Sequence, residues 1–468
     1  MNKYKRLLSN AAIFAIGTFS SKIMVYLLMP LYTNILSPAE YSTSDLITQT
    51  ANLLSPLFAI GICDGIFRFA LDAKEKIKEV FSSGIFVLLC GAGAFLVLSP
   101  LLFIFDFVDG YAWLIVVYVL SANIQHACAN YIRGKGDTKG FAIQGIVNTA
   151  LTILFNVIFL VCFGMGVTGY VLSVVIANVL VTLLMVFWKR LYSDFSFSFV
   201  KASTVKGMLK YSVPMIPTAI FWWITSVSNR FVVKEVCGDA VNGLFAASYK
   251  IPTVITLLTT IFIEAWHFSA VNDADDSDRG SFFSTVFNSY MGIIFMAASG
   301  LIAFSKICTM ILYADSYYGA WQYMPTLIMA TTFSALTTFM GSVYLVKKKS
   351  VMSFLTAMTG AIVNLVLSFV LIPRIGAHGA ALAAAVSYFI SFGLRTLTAQ
   401  KFVRFNFHPI KLAVNTVLVG VQAWIMVAEL PHWILYQAIL LVAVLIFNGK
   451  PILDGILLAL KKYRTQKN

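Results

Sequence analysis

Uninterrupted apolar runs of helix length recur from one end of this chain to the other, and no other feature constrains its fold as strongly. A spanning helix needs about 20 predominantly apolar residues, and runs of that length follow one another here with only short polar breaks. Hydrophobic residues make up 59% of the 468 and charged residues only 12%, about half the charged share of a soluble domain. A soluble fold is excluded. So is a β-barrel, whose strands alternate apolar and polar positions. Windows of about 19 residues place spans at 11–34, 45–71, 80–105, 111–132, 141–163, 169–188, 211–234, 241–266, 282–305, 320–345, 350–372, 378–399, 411–428 and 433–460. The expected fold is an all-α polytopic membrane protein of about 14 transmembrane helices.

The net charge of +14 does not point to nucleic acid as a partner, because the basic residues are spread between apolar runs instead of gathered on one solvated face. Their sidedness is the informative part. Among the 34 Lys and Arg residues, Lys234, Lys306 and Arg374 fall in the opposite loops and Lys22, Arg230 and Lys250 inside spans; the rest, including Arg68, Arg395 and Lys411, lie on the side of the N-terminus. The positive-inside rule therefore makes both termini cytoplasmic. Lys3, Lys5 and Arg6 precede an apolar run too long for a signal-peptide core, which reads as an uncleaved first span. The six cysteines show no C-x-x-C pattern, and no His/Cys cluster suggests a metal or a cofactor. No loop is long enough for a soluble catalytic domain, and no Walker A sequence is present, so an enzyme is not expected. The acidic stretch Asp273, Asp275, Asp276, Asp278 reads as a solvated cytoplasmic turn.

The chain also repeats itself. Asn156 is followed by an apolar stretch and Gly166-Val167-Thr168-Gly169; Asn364 is followed by a similar stretch and Gly376-Ala377-His378-Gly379. The segment Leu36-Ser37-Pro38-Ala39-Glu40 before span two aligns with Cys237-Gly238-Asp239-Ala240-Val241 before span eight, which sets Asp64 beside Glu264. Both copies start with the same sidedness, so they are parallel repeats. The expected organisation is an N-terminal lobe at 1–200, a pseudo-symmetric C-terminal lobe at 201–400, each of six helices around a central cavity, and two appended helices with a cytoplasmic tail at 401–468.

With the repeat in place, particular residues resemble the polysaccharide-transporter branch of the multidrug/oligosaccharidyl-lipid/polysaccharide (MOP) exporter superfamily, the branch of O-antigen and capsule repeat-unit flippases. Ser21-Lys22, Pro30-Leu31-Tyr32-Thr33-Asn34 and Glu40-Tyr41 look like the family's first span and following loop, and Asn229-Arg230-Phe231 through Tyr249-Lys250 like the start of its second lobe. Asn229 stands where that family usually has Asp, and Ser42 where it commonly has Gly. Asp64-Gly65-Ile66-Phe67 and Lys250-Ile251-Pro252 are similar to patterns of the related lipid II flippases. The resemblance implies export of an undecaprenyl-pyrophosphate-linked oligosaccharide from the cytoplasmic to the outer leaflet of a bacterial inner membrane by alternating access. It also implies membrane lipids, a polysaccharide polymerase and assembly proteins as partners.

The intramembrane charges fit such a substrate. A Lys or Arg at the bilayer centre costs about 2.5 to 3.5 kcal/mol on insertion scales and so faces a wet cavity or a partner. Cationic donors can replace the water around a pyrophosphate, which makes Lys22, Lys250 and Arg230 candidate headgroup ligands. Arg230 could instead snorkel outward, and Arg68 is either a further headgroup contact or a cytoplasmic anchor. Asp64 and Glu264 are candidates for H+ or Na+ coupling or for pairing with those cations; Asp64 and Arg68 are four residues apart on one helix face. Pro214, Pro217 and Pro252 are expected to bend spans seven and eight. Trp222, Trp223 and Trp266 suit either sugar stacking or an interfacial belt.

Other readings remain. A multidrug or cation exporter of the same superfamily calls for an acidic, apolar cavity, and a membrane polymerase or ligase for a sizeable catalytic outer loop. A channel fits a two-lobed repeat less well than alternating access does.

Overall fold

The computed structural model describes residues 28–72, 76–104, 108–272, 279–347 and 349–465. Lys22, most of the first expected span and the acidic stretch from Asp273 to Asp278 lie outside the described residues. Among those described, the chain is helical with no strand. Ten helices are long and apolar enough to cross a bilayer, or eleven if one bent pair counts as a single span.

The chain divides into two compact units, Met1–Trp223 and Ile224–Asn468. In the first unit, α1 (Met29–Ile35) leads into α2 (Pro38–Phe58) and α3 (Ile62–Asp72), and α4 (Ile77–Leu98) and α5 (Pro100–Ile104) form the next span. They are followed by α6 (Ala112–Gly134), α7 (Thr138–Asn156), α8 (Gly166–Trp188) and the short α9 (Ala202–Ser212). A capping box starts α2: the Ser37 hydroxyl accepts from the Glu40 N–H at 3.3 Å, the Ser37 N–H donates to Glu40 Oε2 at 2.9 Å, and Pro38 occupies the first helical turn. This arrangement satisfies two orphan donors and fixes where the helix begins. Ile62, Ile66, Phe81, Tyr131, Met185 and Met208 from five different helices close the core of this unit. Large apolar side chains such as Val97 and Phe187, 79% and 69% exposed, face outward as a bilayer requires.

The second unit begins within α10 (Ile216–Cys237), a helix whose polar content, including Asn229, Arg230, Lys234 and Glu235, keeps it from the apolar set. It continues through α11 (Asp239–Ser248), α12 (Thr253–Asn272), α13 (Arg279–Ala303), α14 (Ser305–Leu312), α15 (Met324–Val346), α16 (Ser350–Ile375), α17 (Ala377–Ala399), α18 (Pro409–Val427) and α19 (Trp433–Thr465). Pro252 lies at the break between α11 and α12, and Pro214 and Pro217 lie in and just after the 3-10 turn that precedes α10. A proline removes a helical donor and crowds the preceding turn, so these breaks fall where the sequence puts them. Helices α18 and α19 pack on α13 and on each other.

Packing inside the two units repeats. Span four packs on span six, span five on span six, and span two on both four and six; span ten packs on span twelve, eleven on twelve, and eight on both ten and twelve. The G-x-x-G segments do the same work in each copy. Gly166 and Gly376 turn the chain between consecutive spans at φ of +53° and +61°, a region that L-residues with a Cβ rarely enter.

Trp266 is neither belt nor cavity. It is 4% exposed, its indole N–H donates to the Ser342 hydroxyl at 2.9 Å, and it stacks on Phe339 at 5.2 Å in the aromatic core of the second unit.

Candidate functional site

The first unit holds a polar cavity that arises from a break in span two. Pro56 inside α2 lacks the N–H that would continue the ladder, the chain turns through left-handed geometry at Ile60 and Gly61, and α3 leaves at 56° to α2. A broken helix in a membrane frees carbonyls that neighbouring side chains must satisfy. Two asparagines on α6 tie down both sides of the break: Asn123 Nδ2 donates to the Ser55 carbonyl at 3.2 Å, and Asn130 Nδ2 to the Cys63 carbonyl at 3.1 Å. From the other side α4 reaches the break only because residue 91 is glycine. A Cβ there would lie 1.8 Å from the Phe58 carbonyl oxygen.

The resulting cavity, about 350 Å³, is lined by Asp64, His126, Asn130, Ser55, Asn148 and Asn178 among others. Asn148 Nδ2 donates to Asn178 Oδ1 at 3.2 Å. Asn148 Oδ1 and Ser55 Oγ are buried with no hydrogen-bond partner among the described residues. Buried polar atoms without partners are uncommon in native proteins, and two of them share this cavity with a carboxylate. The site therefore offers hard oxygen donors, which suit a proton, a monovalent cation or water. Asp64 and Arg68 both lie on α3 with exposed side chains.

In the second unit Arg230 stacks on Tyr249, the residue that precedes Lys250 in the chain. Arg230 is 7% exposed, and its guanidinium carbon lies 4.4 Å from the centre of the Tyr249 ring. Arg230 is thus held inside the bundle by a desolvated cation–π contact and does not snorkel. Lys250, the next residue after Tyr249, is half-buried in the break between α11 and α12. Glu264 lies on α12.

Asn229 shows why an amide can occupy a position where a carboxylate is the family habit. Its Nδ2 donates to the Ala380 carbonyl at 2.8 Å while its Oδ1 accepts from Asn364 Nδ2 at 2.6 Å and from the Ser368 hydroxyl at 2.9 Å. All three side chains are fully buried. An aspartate could not donate to Ala380, whereas the amide closes the network without placing a charge there.

Three features escape sequence reading. His126 looks like an isolated histidine, yet Asn123, His126 and Asn130 form one stripe of α6 at helical spacing, and that stripe is the signal that points to a polar cavity. Asp45, which sequence reading does not single out, is 5% exposed inside α2 and is a further carboxylate within the spans. Arg395, grouped by sequence with the cytoplasmic-side cations, is 3% exposed and donates to the Thr356 hydroxyl at 3.0 Å and the Thr337 carbonyl at 3.1 Å. Its guanidinium is solvated by neighbouring helices instead of by water.

Fold and site together define a multi-pass helical membrane protein with paired repeats. Similar solved structures agree. A lipid II flippase, MurJ, in an inward closed conformation matches with a TM-score of 0.75 at 15% identity, covering 95% of this chain and 100% of that one. An inward-facing multidrug-resistance MATE family transporter of the MOP superfamily matches with a TM-score of 0.63 at 15% identity, covering 83% and 98%. An outward-facing multidrug-resistance MATE family transporter matches with a TM-score of 0.58 at 15% identity, covering 84% and 96%. No curated protein matches the sequence. The sequence itself matches the family described as polysaccharide biosynthesis protein over residues 7–267, more than half of the chain. The chain belongs to that family and has the MOP fold.

Proposed function

We propose that this chain is a flippase that carries an undecaprenyl-pyrophosphate-linked oligosaccharide repeat unit from the cytoplasmic to the outer leaflet of a bacterial inner membrane by alternating access, for surface polysaccharide synthesis. The family match over residues 7–267 carries the reading. The fold shared with a lipid II flippase along 95% of the chain supports it. Both termini are cytoplasmic in this reading, and a polysaccharide polymerase and assembly proteins act on the product.

In this reading Lys250 and Arg230 are the pyrophosphate ligands of the second unit, and Lys22 and Arg68 are candidate headgroup ligands of the first. Charge-assisted hydrogen bonds to phosphate oxygens are strong and tolerate a variable sugar. Asp64 takes up H+ or Na+ in its cavity in one conformation and releases it in the other, with Glu264 as its counterpart in the second lobe. The two unpartnered oxygens of Ser55 and Asn148 favour a bound cation or water over a closed ion pair.

Export of a cationic drug is the second reading, favoured by the carboxylate in the same cavity. Complementation separates the two. In a flippase-null strain, wild type restores surface polysaccharide and Lys250→Ala and Arg230→Ala do not, at equal protein levels. If wild type restores no polysaccharide but lowers susceptibility to cationic drugs, the flippase reading falls.

A further inference from the structure

Away from the residues assigned to transport, the second unit carries two adjoining clefts, one lined by Arg404 and the other by Lys411. The first, about 530 Å³, lies between the start of α13 and the segment 400–406 and is lined by Gly280, Ser281, Ser284, Gln400, Arg404 and Asn406, with Phe405. The second, about 400 Å³, shares Asn406 and is lined by Asn288, His408 and Lys411 together with Pro409, Ile410 and Phe447. One end of the combined cleft is therefore polar and cationic, and the other is apolar.

The polar end is a built structure. The Asn406 N–H donates to the Ser284 hydroxyl at 2.8 Å, Asn406 Oδ1 accepts from the His408 N–H at 2.9 Å, and the Phe405 N–H donates to Gln400 Oε1 at 3.3 Å. Phe405 is 7% exposed and packs on Phe283 and Phe287 at 6.1 and 6.2 Å. Gly280 lets the Arg404 backbone lie directly on α13, since a Cβ there would come within 2.4 Å of the Arg404 carbonyl oxygen. Lys411 Nζ donates to Asn288 Oδ1 at 2.8 Å, a neutral partner that leaves its charge uncancelled by that contact. Burial first, and then the charge of Lys411, hold the His408 imidazole below its usual range, so the cations of the cleft at neutral pH are Arg404 and Lys411. At the other end Ile410 is 80% exposed and Phe447 40% exposed, which suits contact with lipid chains.

We propose that this cleft binds the phosphate of an anionic membrane phospholipid, with Arg404 and Lys411 as its cationic donors and the notch at Ile410 and Phe447 taking the first part of an acyl chain. Basic pockets between spanning helices on the cytoplasmic side suit anionic headgroups, and the guanidinium fork of Arg404 matches phosphate oxygens in pairs. The change from polar to apolar lining along one cleft follows the order of groups along a lipid. The assignment stands independently of what the protein transports.

The test uses the full chain purified in neutral detergent, with phosphatidylglycerol, phosphatidylcholine or inorganic phosphate added. Native mass spectrometry reads retained lipid and thermal unfolding reads the midpoint. Phosphatidylglycerol is expected to be retained and to raise the midpoint, while the other two are not. Arg404→Gln and Lys411→Gln should each raise the half-saturating lipid concentration about fivefold, as removal of one basic contact to an anionic headgroup implies. Lys201→Gln, at an exposed lysine elsewhere, should leave it unchanged. Equal effects of phosphatidylcholine would overturn the headgroup assignment, and equal effects of inorganic phosphate would reassign the cleft to a soluble anion. Unchanged affinity in Arg404→Gln would overturn the proposal outright, and this variant decides the matter even if Lys411→Gln misfolds through loss of its bond to Asn288. If phosphatidylglycerol acts only after Asp273, Asp275, Asp276 and Asp278 are changed to Asn, the chain's own acidic stretch is the occupant and the lipid assignment fails.

Discussion

Replacing Asp194 with alanine should destabilise the first unit by about 2 kcal/mol, most of it through one buried hydroxyl. Asp194 follows a 3-10 turn after α8 and is 6% exposed. Its Oδ2 accepts from the Tyr131 hydroxyl at 3.0 Å and from Lys135 Nζ at 2.9 Å, and Lys78 Nζ lies 3.6 Å from Oδ1. The Asp194 carbonyl also accepts from the Ser82 hydroxyl at 3.1 Å, so this loop ties α4 to α6. Tyr131 is fully buried and stacked on Phe81 at 4.2 Å, so its O–H cannot turn to water when the carboxylate is removed. A stranded buried donor costs about 1 to 3 kcal/mol. The two lysine side chains are 37% and 50% exposed and simply resolvate, adding less than about 1 kcal/mol together. Asp194→Asn keeps an acceptor for Tyr131 and should cost about 1 kcal/mol.

The pH dependence follows from the same contacts. Burial pushes the Asp194 carboxyl up, but the hydrogen bonds from Lys135 and Tyr131 and the charges of Lys135 and Lys78 outweigh it and hold the group below the usual carboxylate range. An unfolded Asp titrates near about 3.9. The contribution of Asp194 is therefore complete above that value and is lost as pH falls through the lower folded one. Thermal unfolding in detergent, followed by tryptophan fluorescence at neutral pH and near pH 3, measures both effects. A cost below about 0.5 kcal/mol for Asp194→Ala at neutral pH would refute the stranded-hydroxyl reasoning, since surface substitutions alone reach that figure.

Two further substitutions test the packing that shapes the candidate sites. Gly91→Ala should destabilise by about 1 to 3 kcal/mol, because the new methyl collides with the Phe58 carbonyl and forces α4 off the break that forms the cavity; lower expression and a lower unfolding midpoint are the readout. Asn229→Ala should cost about 1 to 3 kcal/mol by removing the side chain that joins the Ala380 carbonyl, Asn364 and Ser368, although Asn364 keeps the Ser228 hydroxyl and Ser368 the Asn364 carbonyl as acceptors, and restoring an amide with Gln should recover less than half of this because the longer side chain does not fit the fully buried pocket.

Much of the fold was legible because the bilayer leaves few alternatives. Ser37-Pro38-Ala39-Glu40 carries the capping chemistry of a helix start, and the helix begins there, ahead of the residue 45 expected from hydropathy alone. The two G-x-x-G segments announce tight turns between consecutive spans, and the first glycine of each adopts a positive φ. The polar cavity was not legible in the same way. Asn123, His126 and Asn130 each look like an ordinary packing residue in an apolar span, and only the fold brings carbonyls of span two within reach of the two asparagine amides. Arg395 was legible as a cation near a helix end, but its burial was not, because a window average does not see the hydroxyl and carbonyl groups that neighbouring helices bring to it. Arg230 was legible as an intramembrane cation, but its stacking on Tyr249, 19 residues further along the chain, is a tertiary contact that no local pattern encodes.

The most direct measurement is transbilayer movement of an undecaprenyl-pyrophosphate-linked oligosaccharide in proteoliposomes, read as the fraction of substrate reached by a membrane-impermeant lectin. Wild type should move the lipid-linked sugar across the bilayer, and Lys250→Ala and Arg230→Ala should lose that movement while remaining folded. Full movement in both variants would contradict the cationic headgroup site, and no movement by wild type would contradict the flippase itself.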